Sequence, residues 1–276
     1  MSARNVLLLF SKLPEPGLVK TRLTPLKDGI LAPEDAARLY EAMLLDVVQV
    51  AIAAFAKLRE RHPEESFGLM VSTAPAANAG AMEELLRSNG FAGADVSVIV
   101  DEGASFDEHY DHAFQQAWER GAERILSMGA DMPALTEADV MGGFEALLKL
   151  EEEPQGGIVL APDQEMGVSI VGWNRRTPFG HGGVFYNASG LTVLPAYIRK
   201  AREAGLPVRY LPPVPDVDTM ADLMHAITLV EALCYCAPLD GAVPPARTAA
   251  VLRSLGMDEV RVMPNGLLDP RGHIDG

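Results

Sequence analysis

Val6-Leu7-Leu8-Leu9-Phe10-Ser11-Lys12-Leu13-Pro14-Glu15-Pro16-Gly17-Leu18-Val19-Lys20-Thr21-Arg22-Leu23 is the stretch on which the reading of the whole chain turns. Residues 6–10 are apolar without alternation, the pattern of a short strand buried on both faces. They open directly into a loop with two prolines, a glycine and the cations Lys12, Lys20 and Arg22. In an open α/β sheet, ligands bind beyond the carboxyl ends of the strands, so this loop is a candidate anion site. Gly17 lets backbone N–H groups approach a ligand, Arg22 offers a planar fork for paired oxygens, and the lysines act as mobile point charges. A phosphate-rich ligand fits those groups. The alternative is a solvated loop whose cations cluster by chance and are all exposed. The spacing matches neither GxxxxGK[ST] nor GxGxxG, so neither motif is invoked.

Downstream, strand-like and helix-like patterns alternate. Ala37, Leu39, Tyr40, Met43, Leu44, Val47, Val48, Ala51 and Phe55 follow a helical period over 34–60. Residues 67–72 and 96–100 read as strands, with a helix at 81–88 between them. A further helix runs to about Arg120, a strand leads to Gly129, and a helix covers 137–149. Strands at 158–162 and 208–211 flank a helix at about 190–204. This is a βαβ pattern, and it predicts an α/β sheet that is mostly parallel and covered on both faces.

The 276 residues suffice for one large domain or one domain with an appendage. A 48% hydrophobic and 22% charged composition is that of an ordinary globular protein, and no transmembrane helix is expected. The start of the chain lacks a signal-peptide pattern, so a cytoplasmic location is expected. Cys234 and Cys236 stand two apart in an apolar helical stretch, where buried free thiols are expected rather than a disulfide or zinc site. A net charge of −15 excludes a general nucleic-acid surface. It also makes the basic loop conspicuous, and an acidic protein that holds phosphates is expected to need a divalent cation between the two.

Two acidic stretches qualify. Arg124–Gly129 reads as a strand, after which Asp131 is presented before Pro133 and a helix capped by Thr136. A carboxylate just past a central strand suits a metal; the plainer alternative is a turn cap. In Pro215-Asp216-Val217-Asp218-Thr219-Met220-Ala221-Asp222, helix capping accounts for Thr219 and Asp222 but not for Asp216 or Asp218. Between these stretches, Asp101–His112 reads mainly as an acidic helix start at the positive end of the helix dipole, with a catalytic His109 or His112 as the minority alternative.

KLPEPGLVKTRL (12–23), Gly129-x-Asp131-x-Pro133-x-Leu135 and Asp216-Val217-Asp218-Thr219 together resemble a group of bacterial transferases similar to GT-A-type nucleotide-diphospho-sugar transferases, often encoded beside radical-SAM and selenoprotein-related genes. Their fold also houses molybdenum-cofactor and 2-phospho-lactate guanylyltransferases. The resemblance spans roughly residues 5–230. It implies a GT-A-like, Rossmann-type three-layer α/β/α fold, with a transferase domain over 1–235 and a C-terminal extension over 236–276. For that extension, packing, dimerisation to a homodimer and a lid all stay open.

The resemblance further implies Mg2+ or Mn2+ held by Asp131 and Asp218, with Asp216 as fallback. Lys12, Gly17, Lys20, Thr21 and Arg22 would hold the nucleotide, with Glu102 and Ser105 as weaker candidates, and Lys20, Arg22 and Asp131 would act in catalysis. On the acceptor side the sequence departs from the group: Asp163-Gln164-Glu165-Met166-Gly167 replaces the usual Asp-Gly-Gly-Tyr, and only Asp163 and Gly167 keep its flavour. The glycine-rich Phe179–Phe185 resembles the loop that holds the acceptor in guanylyltransferases, which makes Gly180, His181 and Gly182 acceptor candidates; a flexible β-turn is the alternative. The implied partners are a nucleotide sugar or nucleoside triphosphate and a small unidentified acceptor, without nucleic acid or membrane. Sugar transfer is the leading expectation, nucleotidyl transfer to a phosphorylated acceptor the second, and a non-catalytic nucleotide-binding protein the third.

Overall fold

In a computed structural model, residues 4–93 and 95–259 are described, and all structural statements below concern them. Seven strands form one sheet: β1 (Asn5–Phe10), β2 (Phe67–Thr73), β3 (Val96–Val100), β4 (Arg124–Gly129), β5 (Ile158–Pro162), β6 (Val168–Asn174) and β7 (Val208–Tyr210). Their order is β3-β2-β1-β4-β6-β5-β7. Every pairing is parallel except those of β6, which runs antiparallel to both β4 and β5. The expected mostly parallel sheet is therefore present, with one reversed strand.

The unbroken apolarity of β1 follows from its central place. Val6 and Leu8 enter one core cluster, and Leu7 and Leu9 enter the other on the opposite face. Seven helices cover the sheet: α1 (Pro33–Arg61), α2 (Ala79–Ser88), α3 (Phe106–Glu119), α4 (Glu137–Lys149), α5 (Val193–Glu203), α6 (Met220–Asp240) and α7 (Ala246–Ser254). The larger cluster takes its helical residues from α1, α2, α4, α6 and α7. The smaller one takes them from α3 and α5, with Trp173 of β6 packed on Phe114. Three layers result, as the sequence implies.

Two expectations need revision. The division at 235/236 falls inside α6, and α7 is fastened to α1 by Asp46, whose carboxylate accepts from the N–H groups of Arg247 (3.2 Å) and Thr248 (2.8 Å). The tail to residue 254 thus packs against the domain, whereas Val260–Val262 lies outside the described residues. Cys236 is exposed, while Cys234, on another side of α6, is half-buried against the larger core cluster. By length and composition alone, α1 and α6 are apolar enough to cross a membrane, with mean hydropathy of 1.7 and 1.3 over their best windows. In α1 that apolarity is used in the core, where 72% of the window is buried, whereas in α6 the buried share is 33%.

Candidate active site

The carboxyl ends of β1, β2 and β4 open onto a cavity of about 720 Å³. The loop after β1 forms one side of it, supplying Ser11, Lys12, Leu18, Val19, Lys20, Thr21 and Arg22. Lys20 has φ 46°, the left-handed region that is uncommon for a residue with a side chain, and it precedes a short 3-10 turn. Its side chain is only 7% exposed. The ammonium contacts Asp131 Oδ2 and donates to Asp218 Oδ1 at 3.0 Å, while Arg22 Nη1 donates to Asp218 Oδ2 at 3.0 Å. Burial alone would lower the Lys20 pKa, but the two carboxylates outweigh it and hold it above the ordinary lysine value.

Both carboxylates are placed by the same local device. Asp131 follows β4 and precedes α4, whose start is closed by a reciprocal capping box between Thr136 and Asp139. Asp218 directly precedes the equivalent box of Thr219 and Asp222 at α6. The backbone N–H of Val217 donates to the carbonyl of Asp131 at 3.0 Å, which ties the two segments together. A Cβ at residue 129 would stand 2.7 Å from Asp131 Oδ1, so a larger residue there would push that carboxylate from its position.

Asp216 also lines the cavity, and its carboxyl is pushed up to about 7, first by burial and then by the neighbouring charges of Asp131, Asp218 and Asp163. Gln164 clamps it, donating to Asp216 Oδ1 (3.0 Å) and Asp222 Oδ1 (2.8 Å). Asp163 accepts from the N–H groups of Glu165 (2.6 Å) and Gly167 (2.7 Å), which closes the β5–β6 turn. A Cβ at residue 167 would meet Asp163 Oδ2 at 1.9 Å, so glycine is needed there.

Of the expected nucleotide residues, Lys12, Lys20, Thr21 and Arg22 line the cavity. Gly17, at φ 77°, shapes the loop behind them. Glu102 and Ser105 do not line the cavity: the Glu102 N–H donates to His112 Nδ1, and Ser105 caps α3 by accepting from the Glu108 N–H. Their neighbours Asp101 and His109 do line it. His109 Nδ1 is 2.5 Å from Asp101 Oδ1, and Ser72 Oγ donates to Asp101 Oδ2 at 2.7 Å. Tyr40 closes the floor near Ser11 (3.0 Å), and burial followed by the charge of Asp131 pushes its hydroxyl up to about 12.

Of the acceptor candidates, Asp163 lines the cavity, but Gly180, His181 and Gly182 do not. His181 is fully buried among Phe114, Trp173 and Tyr110, and its Nδ1 and backbone N lie within 2.8 Å of Asp111 Oδ1. Lys200 donates to the carbonyls of Gly180 and Gly182 at 2.7 and 2.6 Å. The Gly180–Gly182 segment is therefore fixed by hydrogen bonds and forms no wall of the cavity. The last residue of the glycine-rich loop, Phe185, and the following Tyr186 do reach the cavity, together with Phe106, Tyr110 and Val193. The sequence does not single these aromatics out, because only the folded chain brings them to one cavity and leaves Phe106 and Tyr186 exposed.

A family profile described as "Uncharacterized protein conserved in bacteria (DUF2064)" matches residues 59–188. Among curated proteins, no sequence matches this chain. Among solved structures, the chain is similar to a "putative nucleotide-diphospho-sugar transferase" from Desulfovibrio desulfuricans G20, with 23% identity and a TM-score of 0.70 over 94% of this chain and 100% of that one. It is also similar to a cytidylyltransferase from Leptospira borgpetersenii serovar Hardjo-bovis (strain JB197), with 13% identity and a TM-score of 0.51 over 95% and 99%. At these identities the likeness is one of fold, and it is the GT-A-like and nucleotidyltransferase-like fold that the three motifs imply.

Proposed function

We propose that the protein is a transferase that holds the diphosphate of a nucleotide sugar between the loop after β1 and Asp131/Asp218 and delivers the sugar to an acceptor on the far side of the cavity. The observation that carries this reading is the placement of Lys20 between two carboxylates, with Arg22 alongside, at the carboxyl edge of a GT-A-like sheet. Lys12, Lys20 and Arg22 neutralise charge that develops on the departing diphosphate, which is electrostatic preorganisation and needs no protein nucleophile.

The donors present fit a divalent ion in kind. Asp131 and Asp218 converge on one cation, the Lys20 ammonium, and two carboxylate oxygens with phosphate oxygens and water form the all-oxygen set that Mg2+ or Mn2+ takes. Among the described residues no group of three His, Cys, Asp or Glu is arranged to hold an ion without such help. When bound there, the ion would supply further neutralisation of the leaving group. Lys20, which bridges Asp131 and Asp218, would share them with such an ion.

Titration calorimetry with a panel of nucleoside diphosphates, triphosphates and nucleotide sugars, with and without Mg2+, tests the reading. A nucleotide sugar or its diphosphate is expected to bind more tightly than the matching triphosphate, and Mg2+ is expected to strengthen it. Pyrophosphate release from a triphosphate with no affinity for any nucleotide sugar would replace sugar transfer by nucleotidyl transfer. Absence of binding by the whole panel would refute both.

A further inference from the structure

The cavity has two unlike walls. Among its described lining residues, every Lys and Arg (Lys12, Lys20, Arg22) stands on the loop after β1. The other wall is built from Phe106 and Tyr110 of α3, Val168 and Ser169 of β6, and Phe185, Tyr186 and Val193, and its titratable members are Asp163, Asp216 and the paired Asp101 and His109. The aromatics form a continuous assembly. Phe10 stacks on Tyr110 with centroids 3.8 Å apart, and Phe106 lies 5.1 Å from Tyr110 and 4.8 Å edge-on from Phe185. Phe106 also meets Tyr186 edge-on at 6.4 Å.

The two outermost rings are left in solvent. Tyr186 is 95% exposed and Phe106 47% exposed. Tyr186 also has φ 49°, an outlier for a bulky residue, and such strain persists only where the surroundings enforce it. Here they do. Asp107 accepts from the N–H groups of Gly183 (2.8 Å) and Phe185 (2.9 Å), and the Asn187 amide donates to the carbonyls of Val184 (3.0 Å) and Leu191 (2.8 Å). The loop is pinned from both sides with an aromatic ring held out at the cavity mouth. That arrangement adds no burial to the core, and a ligand that covers the ring accounts for it.

We infer that this wall is the acceptor subsite and that it takes an uncharged, hydroxyl-bearing molecule with a flat apolar face, such as an aryl or pyranose ring laid against Phe106 and Tyr186. Ring faces offer apolar area and a negative quadrupole that suits the C–H edge of another ring. A phosphorylated acceptor meets no Lys or Arg on this wall: its one basic side chain, His109, is already engaged by Asp101, and Asp163 and Asp216 leave the wall acidic, so like charges facing across a partly desolvated site repel. The assignment of this wall to the acceptor rests on the proposed transferase reading; the ring preference rests on the wall itself.

The test uses 4-nitrophenyl β-D-glucoside and its 6-phosphate as a matched pair, followed by saturation-transfer NMR titration of the protein without nucleotide. The neutral glucoside is expected to bind at least tenfold more tightly than the phosphate. Phe106→Ala and Tyr186→Ala are each expected to weaken it at least tenfold, with the melting temperature unchanged for Tyr186→Ala because that ring is exposed. Tighter binding of the 6-phosphate, or a glucoside affinity indifferent to both substitutions, overturns the inference. Nucleotide affinity measured in parallel separates this result from the transferase reading: nucleotide binding that survives in Tyr186→Ala while glucoside binding is lost supports the subsite. A wild type that binds glucoside but no nucleotide leaves the ring preference standing and removes its role as acceptor site.

Discussion

The two walls of the cavity are held by different physics. On the wall proposed to take the donor (the donor wall), Lys20 and Arg22 meet Asp131 and Asp218 in ion pairs, and each carboxylate precedes a capped helix start. On the opposite wall, position is fixed by ring packing and by carboxylates that bind backbone N–H groups, as Asp107 and Asp163 do. A charge-based site needs particular residue types at particular points, whereas a packed wall needs only rings of suitable size in a suitable loop. The donor wall therefore leaves a mark in the sequence, and the other does not.

The sharpest way to break the contrast is Lys20→Ala. It leaves Asp131 and Asp218 facing each other without the cation between them and removes a cation proposed to reach the phosphates. Nucleotide affinity is expected to fall by roughly a hundredfold, the equivalent of about 3 kcal/mol, which is the upper range for a charge-assisted hydrogen bond. Sequence alone treats Lys20 as an exposed loop cation whose removal leaves stability intact; its burial changes that expectation. Breaking a fully buried pair costs ~3–5 kcal/mol, and because the Asp218 side chain is 44% exposed, a loss on the order of 2 kcal/mol is expected in denaturant unfolding. Unchanged affinity together with unchanged stability would reduce the donor wall to ordinary solvated surface.

Arg22→Ala sharpens the comparison within the donor wall. With its side chain 60% exposed, Arg22 contributes little to folding, and stability is expected to stay within about 0.5 kcal/mol. Nucleotide binding should weaken by about 1.5–3 kcal/mol, the ordinary range for a lost charge-assisted contact. A stability loss equal to that of Lys20→Ala, without a loss of binding, would make both cations structural.

The residues legible in advance were those whose chemistry is local. The β1 run, the period of α1, and Asp131 and Asp218 before their capping threonines can be read from short windows, since strands, helices and caps are set by neighbours in sequence. The reversal of β6 could not be read, because its strand pattern is the same in either direction and only the short turn at Asp163–Gly167 sets it. Nor could the bridge from Lys20 to Asp218, which joins residues 198 apart. The glycine-rich loop misled for the same reason: its glycines signal freedom, but Asp111, Asp107 and Lys200, all distant in sequence, remove it.

His181 gives the smallest and most selective check. Burial, opposed in part by Asp111, lowers its pKa below the ordinary imidazole value, with Lys200 and Asp107 the other charges that act on it. The folded imidazole therefore stays neutral while the unfolded one protonates, and stability is expected to fall as pH drops through about 6.5, by at most ~1.4 kcal/mol per pH unit. In His181→Phe, unfolding between pH 7 and 5.5 should show a shallower slope, and nucleotide affinity at pH 7 should match the wild type. A loss of nucleotide or acceptor binding in that variant would return the Gly180–Gly182 loop to the site.

The reversed strand has a consequence for how such a molecule diversifies. Because β6 runs back against β5, the chain reaches the cavity at residues 163–167 and leaves it again within a single hairpin tip whose two stems are locked in the sheet. Insertions, deletions or exchanges of those few residues alter the lining of the cavity while the registers of β4, β5 and β6 stay as they are. The fold thus separates a conservative half, whose parts must agree with one another over long distances, from a replaceable cartridge. The turn after Pro162 is where a new specificity could be installed by grafting rather than by redesign.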